Sequence, residues 1–360
     1  MGRVAVLTSH LANGDAVSND VLGMLYAFQR RGYEARIYAG GWDFEKPKVY
    51  DVSEIRQFLT RADDLLIYHH SIGWRPGLGL LRNRKYRAAI KYHNVTPPQF
   101  FTGISPWHEE QCRIGIEELQ RIADLGCDLY LADSEYNQYD LISNGVEEEN
   151  CFVVPPFHHI ERLQEIEPDL EILDRYRDGS TNILMVGRIA PHKGHPALIE
   201  AFAAYHHDYN RKSRLLIIGK EEAAFASYSK QLRELTDFMW LEGAVSLTGE
   251  ASESALKSYY LLSNAFAIAS EHEGFCVPAV EAMSMKVPVV AYASSALTAT
   301  IDDAGIVLRE RRPYLMAEAL HRLISEESVS YDMAQKAWRR YDQNFSNEKI
   351  EAALFKALGH

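Results

Sequence analysis

Four cysteines are all that 360 residues contain, at Cys112, Cys127, Cys151 and Cys276, and none forms a C-x-x-C pair or a disulfide framework. Scattered thiols of this kind fit a reducing compartment. No run of about 18 apolar residues occurs, which excludes a membrane-spanning helix. The opening "MGRVAVLTSHLANGD" carries one arginine and a short apolar run, and reads as a first strand rather than a signal peptide. The expected location is cytoplasmic. Several phosphate-binding devices are missing too. No GxxxxGK[ST] is present, since "HKGH" has its lysine in the wrong place. "GLGLLR" (77–82) lacks the third glycine of GxGxxG and follows no obvious strand, which argues against a nicotinamide or flavin enzyme. No Asp-x-Asp pair is available to hold a divalent metal against a diphosphate, so no metal and no cofactor is expected. A net charge of −12 argues against nucleic acid as a partner. Acidic residues are also missing from one stretch, Leu65 to His108, which holds Arg75, Arg82, Arg84, Lys85, Arg87 and Lys91. That stretch is either a surface for an anionic partner or a solvated helix face.

What is present is alternation. "RVAVLTSH" (3–10) precedes an amphipathic stretch, "SNDVLGMLYAFQRRG" (18–32), and further strand patterns follow in "ARIYAG", "DLLIYHH", "AAIKYHN", "LYLADS" and "FVVPP". Near Pro155-Pro156 the rhythm breaks into a charged segment, "FHHIERLQEIEPDLEILDRYRDGSTN", read as a linker with some helix. It restarts with "ILMVGR", "RLLIIG", "VSLTG", "NAFAIAS" and "VPVVAY". Repeated βα alternation predicts parallel, doubly wound sheets. The expected architecture is α/β, with two Rossmann-like domains facing one another across a cleft, over residues 1–160 and 161–340, and a terminal segment, 341–360.

One short stretch concentrates chemistry. "EHEGFCVPAVEAM" (271–283) follows the apolar strand "NAFAIAS" and places Pro278 where the first turn of a helix would start. Glu273 then ends a strand-to-helix turn and Glu281 sits about one turn into the helix. The N–H groups of Phe275, Cys276 and Val277 would lack intrahelical partners. Two carboxylates around such donors suit a polyhydroxylated ligand. Upstream, "ILMVGRIAPHKGHPALIEAF" puts Arg188 at a strand end and Lys193 just before a helix. Open parallel sheets bind ligands beyond the carboxyl ends of their strands, and two fixed cations there can bind a diphosphate and stabilise its departure.

These segments, "VGRIAPHKG", "EHEGFCVPAVEAM" and "VPVVAY", resemble the donor-binding half of glycosyltransferase family 4, the retaining GT-B enzymes. The similarity is strong from about Asn182 to Leu308 and weaker before it. The terminal "AWRRYDQNFSNEKIEAALFKAL" resembles the last helices of that family, which return to the first domain. The resemblance implies that Arg188 and Lys193 bind the diphosphate of a nucleotide sugar, and that Glu281 takes the ribose hydroxyls. It implies that Glu273 contacts the transferred sugar with the backbone of Gly274, Phe275, Cys276 and Val277. It further implies that His93 projects toward the donor sugar, and that Gly14 lets the backbone approach the phosphates. By itself His93 is alternatively a satisfied core histidine, or has a packing role beside Asn94. The chain departs from the family pattern at Cys276, where a glycine is usual, at Ala299, where glutamate is common, and in "VVPPFHHIE". The function implied is metal-independent, retaining transfer of a hexose, with UDP-glucose the first choice of donor and GDP-mannose the second. The acceptor would be a polysaccharide or lipid-linked oligosaccharide, with Arg82–Arg87 touching the inner face of a membrane. A non-catalytic nucleotide-sugar-binding protein of the same fold is the alternative.

Overall fold

The computed structural model describes residues 2–82 and 84–359, and the chain divides into two compact units. Unit 1 comprises residues up to Gln99, Pro106–His159 and the segment from Asn347 onward. Its seven strands are β1 (Arg3–Thr8), β2 (Glu34–Ala39), β3 (Val49–Asp51), β4 (Leu65–His70), β5 (Arg87–Tyr92), β6 (Leu129–Ala132) and β7 (Cys151–Val153). They lie in the order β3-β2-β1-β4-β5-β6-β7, all parallel. A parallel sheet is covered on both faces, so its strands must be apolar without alternation. All six residues of β4 and five of six in β1 are buried accordingly. The helix Ala16–Arg30 starts on Asp15, whose carboxylate accepts from Ser18 N, and buries Val21, Met24, Leu25 and Phe28. The last helix, Asn347–Ala357, adds Ile350, Leu354 and Phe355 to the same core.

Unit 2 holds Ile160–Ser346 together with Phe100–Ser105, a short excursion of the chain between two parts of unit 1. Phe101 explains the excursion: it is buried, stacked on Phe225 at 5.7 Å and edge-on to His192 at 5.9 Å. The strands are β8 (Thr181–Val186), β9 (Ser213–Ile218), β10 (Val245–Gly249), β11 (Ala265–Ile268), β12 (Val289–Tyr292) and β13 (Gly305–Leu308). Their order is β10-β9-β8-β11-β12-β13, again all parallel. Both units are therefore doubly wound, Rossmann-like sheets, as the alternation requires. The charged segment after Pro156 carries the helical part expected of it as Ile160–Glu165 and Leu170–Tyr176, and its Ile160 and Leu163 enter the unit 2 core. In each sheet the order reverses once, at β1/β4 and at β8/β11, and ligand crevices form at such reversals.

Candidate active site

The carboxyl ends of β8 and β11 are neighbours because the two strands pair, Ala265 to Ile183 and Phe266 to Leu184. After β8 the chain makes a tight turn, Pro191–Lys193, then Gly194 in left-handed conformation at φ 66°, then the helix His195–Asp208. A side chain at Gly194 would lie 1.9 Å from the carbonyl oxygen of Ala269, so only glycine lets this turn press against the end of β11. That approach delivers Lys193 to Glu273. The Lys193 ammonium donates to both carboxylate oxygens, at 2.8 and 2.9 Å. The Ser270 hydroxyl donates to Glu273 Oε1 at 2.7 Å, and the Glu273 N–H donates to Ser295 Oγ at 2.7 Å. Glu273 is buried, with its partner's side chain 17% exposed.

The turn then enters the helix Val277–Ser284, with Pro278 in its first turn. Cys276, at φ 79° and ψ 70°, is left-handed, a conformation that costs an L-residue roughly 1–2 kcal/mol. Cysteine here keeps a glycine-type turn at the expense of strain. The turn is braced by the Thr300 hydroxyl, which donates to Phe275 O at 2.9 Å. Glu281 lies on the helix and accepts from the Tyr260 hydroxyl at 2.6 Å; burial raises its carboxyl above the ordinary range while that bond opposes the rise.

Arg188 is placed differently. Ile189 pairs with Glu221 beyond β9, and the Arg188 guanidinium reaches Glu222 at 3.2 Å with 54% of its side chain exposed. Nearer Lys193, Arg311 donates to the carbonyls of Ala269 and Ser270 at 2.5 and 3.2 Å, tying the end of β11 to the chain beyond β13. Arg311, Ser270, Ser295 and Tyr260 carry no motif and were not legible in the sequence. Burial lowers His192 and brings His195 down to about 3, so neither adds positive charge beside Lys193.

In unit 1, Gly14 occupies an exposed left-handed turn at φ 74°, just before the Asp15 cap. His93 follows β5 and has both ring nitrogens engaged. Nδ1 lies 2.8 Å from Asp133 Oδ2 and Nε2 lies 2.9 Å from His69 Nδ1, with Asp20 Oδ2 at 3.5 Å. Lys91, fully buried, lies 2.5 Å from Asp133 Oδ1 and 3.8 Å from Asp20 Oδ2, and donates to Val154 O. Burial would raise Asp133, but His93 and Lys91 outweigh it and hold the carboxyl low. Burial pushes Asp20 up against the pull of the same two groups.

Asp20, His69 and His93 are the group of metal-type ligands that converges among the described residues. The Lys91 ammonium lies beside Asp20 and Asp133, so these carboxylates are also paired with a fixed cation. Glu273, which stands next to His272, is paired with Lys193. In the basic stretch, Arg84 is committed to the carbonyls of Leu81, Leu125 and Gly126, while Arg82, Lys85 and Arg87 are exposed. Asn83 lies outside the described residues.

The structure thus joins Lys193 to Glu273 directly and sets Gly274–Val277 and Glu281 on the same turn and helix. It turns Arg188 toward a different partner and places Gly14 and His93 in the other unit. No helix among the described residues is long and apolar enough to cross a membrane.

Residues 175–340, most of unit 2, match the model of the family described as Glycosyl transferases group 1. A D-inositol 3-phosphate glycosyltransferase of Kineococcus radiotolerans is 29% identical over 171 residues, 44% of this chain and 39% of that protein. The mannosylfructose-phosphate synthase of Agrobacterium fabrum is 25% identical over 283 residues, 71% of this chain and 61% of its own. The chain therefore spans less than two thirds of the length of these curated relatives. Among solved structures, Anabaena Alr3699/HepE in complex with UDP and glucose superposes with a TM-score of 0.79 at 16% identity, over 100% of both chains. Sucrose-phosphate synthase from Thermosynechococcus elongatus gives 0.80 at 15% identity, over 99% of this chain and 98% of its own. The fold of the two units is that of the GT-B glycosyltransferases.

Proposed function

We propose that this chain is a GT-B glycosyltransferase that moves a hexose from a nucleotide sugar to a hydroxyl acceptor, and that unit 2 binds the donor. One observation carries the reading: within the family-matched segment, Lys193 and Glu273 are locked together at a strand end, directly before the helix Val277–Ser284. Lys193 can hold a diphosphate oxygen and stabilise charge as the bond to the sugar breaks. Glu273 is an acceptor with about four lone-pair sites. Lys193 and Ser270 use three of them, so one carboxylate oxygen can still take a sugar hydroxyl. Glu281, on the same helix, is the candidate for the ribose, and Arg188, exposed, for the distal phosphate once it leaves Glu222.

UDP-glucose is the donor we favour, because a superposing structure was solved with UDP and glucose. GDP-mannose is second. Transfer with retention and without a metal follows from the resemblance to family 4, and a polysaccharide or lipid-linked oligosaccharide is the acceptor that fits it. Arg82, Lys85 and Arg87 remain the candidates for contact with an anionic lipid surface.

The test is donor turnover by the purified chain across UDP- and GDP-sugars, with and without EDTA. Turnover of UDP-glucose, retained in EDTA and reduced about 10²-fold in Lys193→Ala, supports the reading, that factor being the scale for removing one preorganised stabiliser of developing charge. No turnover of any nucleotide sugar, with nucleotide binding intact, would favour the non-catalytic alternative.

A further inference from the structure

The Glu273 carboxylate hangs from a backbone that one short segment holds at three points. The Glu273 N–H donates to Ser295 Oγ at 2.7 Å, the Glu273 carbonyl accepts from Ala296 N at 3.3 Å, and the Phe275 carbonyl accepts from the Thr300 hydroxyl at 2.9 Å. Those three partners lie in or beside the five-residue helix Leu297–Ile301. Both ends of that helix are strained. Ser295 takes φ 38° before it, and Asp302 takes φ 50° with ψ −127° after it, conformations that glycine adopts readily and L-residues seldom do. Such residues persist only where their surroundings over-determine them. For Asp302 the surrounding group is Arg340, at the end of the helix Glu327–Arg340. Its guanidinium donates to the carbonyls of Ala299 and Thr300, the latter at 2.8 Å, and to Asp302 Oδ2 at 3.1 Å. Directly after Arg340 the chain forms a π turn, Tyr341–Phe345, an uncommon element that is frequent at functional sites. Its Phe345 ring meets Phe275 edge-on at 5.3 Å and lies 5.5 Å from the Arg340 guanidinium. All of these residues belong to unit 2.

We propose that Arg340 is a positioning residue for Glu273, acting through Thr300 and touching no substrate itself. Thr300 is the link, because Arg340 holds its carbonyl while its hydroxyl holds Phe275. Phe345 gives a second, apolar support to the same point of the turn. The planar fork of an arginine can bond two carbonyls and a carboxylate at once, which the single ammonium of a lysine does not reproduce. Lys193 fixes the Glu273 carboxylate at its tip, and the segment that Arg340 secures fixes it at its root. A displacement of about 1 Å caused by a change far from the chemistry can cost on the order of 10²-fold in rate. The proposal rests on the reading of the chain as a glycosyltransferase in which Glu273 contacts the transferred sugar.

The experiment compares wild type with Arg340→Met, Arg340→Lys, Thr300→Val, Thr300→Ser and the double variant Arg340→Met with Thr300→Val, all in the full chain. Three quantities are read: kcat and KM with UDP-glucose or GDP-mannose, whichever the wild type turns over; Kd for the matching free nucleotide by calorimetry; and amide hydrogen exchange over residues 272–277 and 295–300 by mass spectrometry. Arg340→Met and Thr300→Val should each lower kcat about tenfold or more and speed exchange in both segments by a similar factor, with nucleotide Kd within about twofold. Thr300→Ser, which keeps the hydroxyl, should hold kcat within about threefold of wild type. The double variant should lose no more than about threefold beyond the worse single change, because both changes break one chain of contacts. Lowered kcat with unchanged exchange would mean that the loss arises elsewhere and would overturn the proposal. So would faster exchange with kcat within about twofold of wild type, losses that multiply in the double variant, or a nucleotide Kd that rises in step with the fall in kcat. If Arg340→Met does not fold, Arg340→Lys, which keeps the charge and loses the fork, decides by the same readings. A wild-type chain that turns over neither nucleotide sugar fails the glycosyltransferase reading, and the exchange measurement still decides whether Arg340 fixes the turn.

Discussion

Replacing Glu273 by Gln removes one charge from the buried pair while keeping its shape, and the structure sets the size of the effect. At 2.8 Å two unit charges attract by about 6 kcal/mol at an effective dielectric near 20. Desolvation takes back much of this, and breaking a buried pair costs about 3–5 kcal/mol because the surviving charge is stranded. Here the surviving Lys193 is 17% exposed against 8% for Glu273, so water recovers part of that cost. A loss of about 2–4 kcal/mol follows for Glu273→Gln, and a smaller loss for Lys193→Met with Glu273→Gln together. A double-mutant cycle by urea unfolding should give a coupling of about 2 kcal/mol. The same change frees Lys193 for phosphate, so the affinity for free nucleotide should not fall, whereas kcat should. A coupling below about 0.5 kcal/mol, the level of exposed ion pairs, would refute the argument that this pair is rigid and desolvated.

Cys276→Gly should relieve left-handed strain and change unfolding free energy by less than about 1 kcal/mol, since lost thiol packing and added chain entropy oppose the gain; chemical denaturation measures this. Gly194→Ala should cost more than about 3 kcal/mol or abolish folding of unit 2, because its Cβ would meet the Ala269 carbonyl at 1.9 Å; near-wild-type melting would show that the turn can move. His195 has a folded pKa of about 3 against an ordinary 6.5. Its unfolded form therefore gains a proton first, and stability is full above about pH 6.5 and lost as pH falls toward 3. The slope is up to about 1.4 kcal/mol per pH unit, and His195→Gln should flatten it in unfolding titrations between pH 7 and 5.

The alternation of apolar runs with amphipathic stretches determined, by itself, that both halves would be doubly wound parallel sheets, because burial on both faces leaves a signature in every strand. Pro278 after the strand "NAFAIAS" likewise marked the turn and helix that carry Glu273 and Glu281, since the local preferences act over a few residues. Which side chains meet was decided only by tertiary structure. Lys193 and Glu273 are 80 residues apart and touch because β8 and β11 are neighbours in the sheet. Arg188 faces Glu222 because β9 lies on the other side of β8. Lys91 and Arg84 read alike in a stretch without acids. One is sealed between Asp133 and Asp20 and the other is spent on the carbonyls of Leu81, Leu125 and Gly126. A basic side chain is solvated or sequestered according to what the fold brings within about 4 Å of it, and the order of strands, not the spacing of residues, sets that distance.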